Sequence, residues 1–267
     1  MKLPTLPKPP IPKRFQDKPD RPGAAPKPTR LETLREGGIT AADWVDERAS
    51  LSGGLRWIMF RKVPKGTNWF YTLGSATMFA FVSQAITGIF LAMYYTPSAT
   101  QAYESARHIT NDVFLGEFVR GMHKWGSTVM VILIFLHMAR TFFFGAYKYP
   151  RELQWVIGVV LVILTFVMSL TGYLLPFDQR SYWATIVAAN INGTGPFVGP
   201  FLSDFLRGGG DFGATTLSRF YAIHMMLVPG LIAALIGAHL YLVTRLGTTA
   251  PPWIRADVDE KLREEQV

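Results

Sequence analysis

Residues 119–144 read VRGMHKWGSTVMVILIFLHMARTFFF, and residues 222–245 read AIHMMLVPGLIAALIGAHLYLVTR. Both are apolar over a length that crosses a hydrocarbon core of about 30 Å, and each carries two histidines. His123 and His137 stand fourteen residues apart, His224 and His239 fifteen. At 3.6 residues per turn these separations are close to four turns, so each pair falls on roughly one helix face, about 21–22 Å apart along the axis. Two such helices side by side and running the same way would set four imidazoles at two levels, facing in pairs. Each level has the shape of a bis-histidine haem site, in which neutral imidazoles bind iron from opposite sides. A single histidine in a span reads equally well as a proton relay or a packing residue, so the weight rests on the matched pairs. His108 lies in a polar connection without a partner at helical spacing and reads as an ordinary loop residue.

Two more apolar stretches, 73–95 and 155–175, bring the expected spans to four in a chain of 267 residues, 49% hydrophobic and 13% aromatic. The fold class expected is all-α: an integral-membrane four-helix bundle holding two b haems, with surface helices in the outer loop and at the cytoplasmic N-terminus. The chain has no cysteine, which excludes disulfides, a cysteine-ligated iron–sulfur cluster and a thioether-attached c-type haem within it. Any haem must be held without a covalent link to sulfur.

Charge sets the expected topology. Residues 1–72 contain fourteen Lys and Arg, whereas the connections 96–118 and 176–221 together hold four: Arg107, Arg180, Arg207 and Arg219. By the positive-inside rule both termini are cytoplasmic, and the link 145–154, with Lys148 and Arg151, falls on the same side. The net charge of +8 is thereby assigned to topology and anionic lipid rather than nucleic acid.

The expected organisation runs from a disordered Pro/Lys-rich cytoplasmic arm (1–39) through an amphipathic interfacial segment (40–72) and the bundle (73–243) to a cytoplasmic tail (244–267). Nine of the eighteen prolines precede residue 29, and no apolar core of a signal peptide accompanies them. Thr40 can cap a short helix reaching about residue 51, with Asp43, Asp46 and Glu47 near its start. Leu55, Trp57, Ile58, Met59 and Phe60, interleaved with Arg56, Arg61 and Lys62, have the composition of an interfacial anchor. The connection after the third span, about forty residues long and rich in Phe, Ile, Gly and Pro, is expected to fold into short surface helices with a functional role.

A second regularity lies in the glycines. Gly74 and Gly88 are fourteen residues apart, as are Gly158 and Gly172. Small residues serve helix packing in membranes generally, but this period matches the distance between the two histidine levels and suits the close approach of a flat macrocycle.

The set Gly74, Gly88, Arg120, His123, His137, Arg140, Gly158, Gly172, Tyr173, Pro176, Tyr182, Trp183, Arg219, Phe220, His224 and His239 resembles the N-terminal, haem-binding half of cytochrome b. The resemblance covers about residues 44–252. It is nearest the split form of cytochrome bf-type and bacterial menaquinol or quinol–cytochrome c oxidoreductase complexes, on three counts: four spans instead of eight, the fifteen-residue second histidine spacing, and Ala184 after Trp183. Where the plastid-like branch has a cysteine that tethers an extra haem, in the context Phe70-Tyr71-x-Leu73-Gly74, this chain has Thr72, so a covalent third haem is not expected.

The resemblance implies a subunit, inactive alone, that carries electrons through two bis-histidine haems between an outer quinol-oxidation site and an inner quinone-reduction site, coupled to proton translocation. It implies His123 with His224 on the outer haem iron, and His137 with His239 on the inner. Arg120, Arg140 and Arg219 would meet haem propionates, with Lys124 a further candidate. Gly74, Gly88, Gly158 and Gly172 would face haem edges. Tyr173, Phe177, Tyr182, Trp183 and Ile186 would line part of the outer quinol pocket, and Arg245 would stand at the inner quinone site. Implied partners are a Rieske iron–sulfur subunit, a separate C-terminal cytochrome b chain resembling subunit IV, a c-type cytochrome, a second copy of the complex and membrane lipids. The implied location is the plasma membrane of a bacterium. Two other readings stay open from the residues: a dihaem membrane anchor of a dehydrogenase or hydrogenase, and a transporter subunit whose histidines relay protons.

Overall fold

The computed structural model describes residues 29–49, 52, 60 and 66–254, at 39 and 40 the backbone alone. The expected arm over 1–28, most of the expected interfacial anchor and the tail beyond Ile254 lie outside the described residues. The chain divides into two compact units, residues 1–61 and 62–267.

Among the described residues of the first unit is the helix α1 (Arg30–Ala49). It begins ten residues before the expected Thr40, inside the segment expected to be disordered, because Thr29 and Glu32 cap each other. The Glu32 carboxylate accepts from the Thr29 N–H (2.7 Å), and the Thr29 hydroxyl accepts from the Glu32 N–H (3.3 Å). The Thr29 N–H, and with it the Thr29 hydroxyl donating to the same carboxylate (2.9 Å), holds the Glu32 carboxyl below its ordinary range.

The second unit is helical throughout; among its described residues there is no strand. A 3-10 turn over Trp69–Thr72 leads into α2 (Leu73–Ala92), followed by α3 (Ala102–Asn111), α4 (Gly116–Phe143), α5 (Glu152–Leu174), α6 (Gln179–Gly193), α7 (Gly199–Arg207), α8 (Ala214–Ala222), a π-helical turn (Ile223–Leu227) and α9 (Val228–Leu246). Among the described residues, four helical stretches of 24, 28, 23 and 33 residues are long and apolar enough to cross a membrane: Trp69–Ala92, Gly116–Phe143, Glu152–Leu174 and Ala214–Leu246. They alternate in direction. Large apolar side chains such as Phe79 (77% exposed) and Ile86 (65%) point outward along them, as expected of helices whose solvent is lipid.

Three boundaries differ from the sequence reading. The last spanning stretch starts eight residues before residue 222, so Arg219 and Tyr221 stand on helix instead of in a connection. The connection after α2 contains α3, which periodicity reading passed over. Ala102, Ala106 and Ile109 recur at helical spacing and are buried, and His108 rides the exposed face beside Asp112 (2.9 Å). Residues 247–254 are not a free tail: the Tyr71 hydroxyl donates to the Thr249 carbonyl (2.9 Å), Pro251 is buried, and Trp253 lies edge-on to Phe144 at 5.6 Å. Arg151 anchors this end. Its guanidinium donates to the carbonyls of Leu246 (3.1 Å) and Gly247 (3.3 Å), bonding the otherwise unpaired acceptors at the end of α9.

The bundle consists of two helix pairs. α2 packs along α4 and α5 along α9, while direct contact between the pairs is slight. In the first pair Gly126 admits the buried Gln84, whose amide would lie 2.1 Å from any Cβ at 126. In the second, Leu161, Val228 and Ile232 form a buried seam. The end of the bundle bearing the long connections, called here the loop end, is closed by Ala102, Leu174, Leu206, Leu217 and Phe220. This cluster draws α3, α5, α7 and α8 together and fixes where α8 enters the last span. Phe220 is fully buried, so Phe220→Ala is expected to cost about 3–5 kcal/mol, measured as a lowered thermal transition of the detergent-solubilised protein.

Candidate functional site

The slot between the two helix pairs is faced by the four histidines. His123 and His137 lie on α4, His239 on α9, and His224 in the π-helical turn. At the loop end the His123 and His224 ring centres are 6.3 Å apart with planes at 75°. At the opposite, terminal end, His137 and His239 are 6.5 Å apart at 74°. With metal–imidazole nitrogen bonds of about 2 Å and each nitrogen about 1 Å from its ring centre, imidazoles on opposite sides of one iron have centres about 6 Å apart. Both levels fit that geometry.

The unequal spacings of fourteen and fifteen are reconciled by the π turn. There the Val228 N–H bonds the Ile223 carbonyl, five residues back. Pro229 has no N–H to give to an α-helical acceptor, so a register change just before it is favoured. A π turn takes up about one residue more than an α turn. His224 and His239 therefore stay on one face and meet their partners on α4 at matched levels.

Each of the four glycines faces one imidazole. A Cβ would fall 3.3 Å from His123 Cε1 at Gly88, 2.5 Å from His224 Cε1 at Gly172, 3.1 Å from His137 Cε1 at Gly74, and 3.7 Å from His239 Cε1 at Gly158. The sequence reading placed these glycines at the two histidine levels. It missed their neighbours: the Thr87 hydroxyl lies 2.9 Å from His123 Nδ1, and the Thr171 hydroxyl 3.3 Å from His224 Nδ1. A Thr-Gly dipeptide at both 87–88 and 171–172 was the available signal.

The cationic candidates differ from one another. Arg140 lies over the rings of Tyr71 (3.9 Å) and Phe144 (5.0 Å), and its Nε and Nη2 are buried without a hydrogen-bond partner among the described residues. Buried guanidinium nitrogens left bare are costly, and their placement suits an anionic group entering the slot. Arg120 donates to the Thr110 hydroxyl (2.6 Å), and Arg219 to the Phe205 carbonyl (2.9 Å). Lys124 and Arg245 are exposed; Lys124 lies over Trp125 and Arg245 over Tyr241, each at 6.0 Å.

Of the aromatic residues singled out at the loop end, Phe177, Tyr182 and Trp183 form a chain of perpendicular rings, 6.1 and 5.3 Å apart. Phe212, which the sequence reading did not name, extends it at 6.5 Å from Tyr182 and accepts on its carbonyl from the Tyr182 hydroxyl (3.4 Å). Phe177 holds φ +50°, a conformation unfavourable for a bulky residue, and sits at the turn from α5 into α6. Tyr173, on the last turn of α5, is 48% exposed, and Ile186, on α6, is half-buried; both lie outside the ring chain.

Fold and site define an all-helical, multi-pass membrane protein organised around two levels of paired imidazoles. The family model for cytochrome b/b6/petB matches residues 58–247, and the chain belongs to that family. It is 41% identical over 211 residues to the cytochrome b6 of Heliobacterium modesticaldum, covering 78% of this chain and 99% of that protein. It is 39% identical over 217 residues to the menaquinol:cytochrome c reductase cytochrome b subunit of Geobacillus thermodenitrificans, covering 78% and 97%. Among solved structures it is similar to a chain of a hyperthermophilic respiratory Complex III, with TM-score 0.72 and 33% identity over 78% of this chain and 56% of that one. The chain is thus an electron-transport subunit of an oxidoreductase family.

The glycine contacts are graded, and the grading is testable. A methyl at Gly172 meets the His224 ring at 2.5 Å, whereas one at Gly158 makes ordinary contact with His239 at 3.7 Å. Gly172→Ala is expected to lower the melting temperature of the purified protein more than Gly158→Ala does, as read by scanning fluorimetry.

Proposed function

We propose that this chain carries electrons across a bacterial plasma membrane as the cytochrome b subunit of a quinol–cytochrome oxidoreductase, with His123 and His224 holding one b-type haem and His137 and His239 a second. The observation that carries the reading is the pair of facing imidazoles at each of two levels, 6.3 and 6.5 Å apart across the slot. When bound, the two haems supply one-electron redox chemistry at two depths of the bilayer.

The residues of the chain hold, orient and insulate. The four imidazoles would hold the irons through neutral ring nitrogens. Gly74, Gly88, Gly158 and Gly172 remove the side chains that would crowd them. At the terminal end the Nε and Nη2 of Arg140, without a partner among the described residues, would hold a propionate carboxylate. At the loop end Arg120 and Arg219, now bonded to Thr110 and Phe205, would be the cations available to a haem carboxylate. The ring chain of Phe177, Tyr182 and Trp183, flanked by Tyr173 and Ile186, forms one wall of a quinol-oxidation pocket, because flat apolar faces with a few polar edges suit a quinol ring. Exposed Arg245 stands near the terminal end, where a quinone would be reduced.

The orientation follows from charge: the loop end faces outward, and the terminal end, with Lys148, Arg151 and Arg245, faces the cytoplasm. Quinol oxidised outside and quinone reduced inside couple electron flow to proton translocation. The oxidation pocket is completed by a separate C-terminal cytochrome b chain. A Rieske protein and a c-type cytochrome take electrons onward, in a complex that contains a second copy.

The reading is tested on the purified complex by a dithionite-reduced minus oxidised spectrum with a pyridine haemochrome assay. Two b-type haems per chain are expected; His123→Ala or His224→Ala removes one set of bands, and His137→Ala or His239→Ala the other. A colourless wild-type chain overturns the proposal. In the same complex Arg140→Gln is expected to lower the midpoint potential of the haem on His137 and His239, by an amount on the order of tens of millivolts, because a cation beside a redox group favours its reduced form.

A further inference from the structure

Resting on the ligand assignment above, we infer that Thr87 and Thr171 are positioning residues for His123 and His224: their hydroxyls accept the imidazole Nδ1 protons, leave Nε2 bare toward the slot, and lower the reduction potential of the haem held there.

The direction of these hydrogen bonds follows from what each partner is able to donate. Thr87 Oγ1 lies 2.7 Å from the Ser83 carbonyl and 3.2 Å from the Gln84 carbonyl, both acceptors only. Its one proton is committed there, so toward His123 Nδ1 at 2.9 Å the hydroxyl has only a lone pair to offer. Thr171 repeats the arrangement. It bonds the carbonyls of Val167 (2.8 Å) and Met168 (3.1 Å) and lies 3.3 Å from His224 Nδ1. The Met168 carbonyl itself lies 3.0 Å from His224 Nδ1 and can only accept. In both rings Nδ1 therefore carries the proton, and in a neutral imidazole the other nitrogen is then the free donor to a metal.

The two threonines are related by the chain as well as by geometry. Each precedes the glycine that faces the same ring, and the Thr-Gly pairs lie 84 residues apart, on α2 and α5, on opposite sides of the slot. Among the described residues no hydroxyl serves the terminal level: the Nδ1 atoms of His137 and His239 are both buried without a hydrogen-bond partner there, and His239 has only main chain, that of Gln154, beside it. An N–H bonded to oxygen fixes the tautomer and ring orientation of a ligating histidine and raises its basicity. A more basic axial ligand favours the oxidised metal, so these hydroxyls act on one level and not on the other.

The experiment is a potentiometric titration of the haem bands in the purified complex, comparing wild type with Thr87→Val, Thr87→Ser, Thr171→Val and Thr171→Ser. The valines keep the shape and lose the hydroxyl. Each is expected to raise the midpoint potential of the loop-end haem alone, by a modest amount because a main-chain carbonyl (Gln84 for His123, Met168 for His224) remains beside each ring, and each serine restores the wild-type value. The terminal-end haem is the internal reference. Unchanged potentials in both valine variants, or equal shifts of both haems, overturn the inference. If a valine variant loses the loop-end haem, the serine decides: retention at wild-type potential supports the hydroxyl's role, and loss there too reduces Thr87 or Thr171 to packing. A wild-type complex without haem at this level would instead remove the ligand assignment on which the inference rests.

Discussion

A polar ring in hydrocarbon has no water to turn to, and this constraint governs the architecture. Four imidazoles on two spans must find partners inside the bundle or carry the cost of bare polar atoms in lipid. The helices answer by facing the rings inward across one slot, at two depths, and by clearing the space around them with glycine. Everything apolar and large is then free to point outward, which is why Phe79 and Ile86 are exposed without penalty.

Keeping the rings in register takes more than regular helix. An uninterrupted α-helix would turn the fifteen-residue pair on the last span out of step with the fourteen-residue pair on α4. The π turn at Ile223–Leu227 absorbs the difference, and Pro229 just downstream gives the local reason for the break. The loop-end cluster around Phe220 then fixes the approach of α8, so His224 is aimed from both sides: by packing before it and by an altered hydrogen-bond register after it.

Much of this was legible in the residues. Four apolar runs of spanning length gave the helices, because lipid imposes a simple rule on composition. The histidine and glycine periods gave the levels, because both follow from 3.6 residues per turn. What stayed hidden depended on partners distant in the chain or on weaker local signals. The reciprocal cap of Thr29 and Glu32 started a helix inside the segment read as a disordered Pro/Lys-rich arm. The stripe of Ala102, Ala106 and Ile109 was too short to register as a period. Arg120 and Arg140 looked equivalent at three residues from a histidine, yet one is bonded to Thr110, whereas the other lies over two rings with its Nε and Nη2 lacking a partner among the described residues. Thr87 and Thr171 resembled ordinary span threonines until the rings they touch were in place.

The slight direct contact between the two helix pairs bears on how the molecule is made. α2 with α4 and α5 with α9 are consecutive hairpins, and each can enter the bilayer and zip together by itself. Joining the halves then falls to the loop-end cluster and to whatever spans the slot. On the reading proposed above, a group bound across the slot would also tie the two hairpins together, so the bundle is expected to be tighter with it than without it.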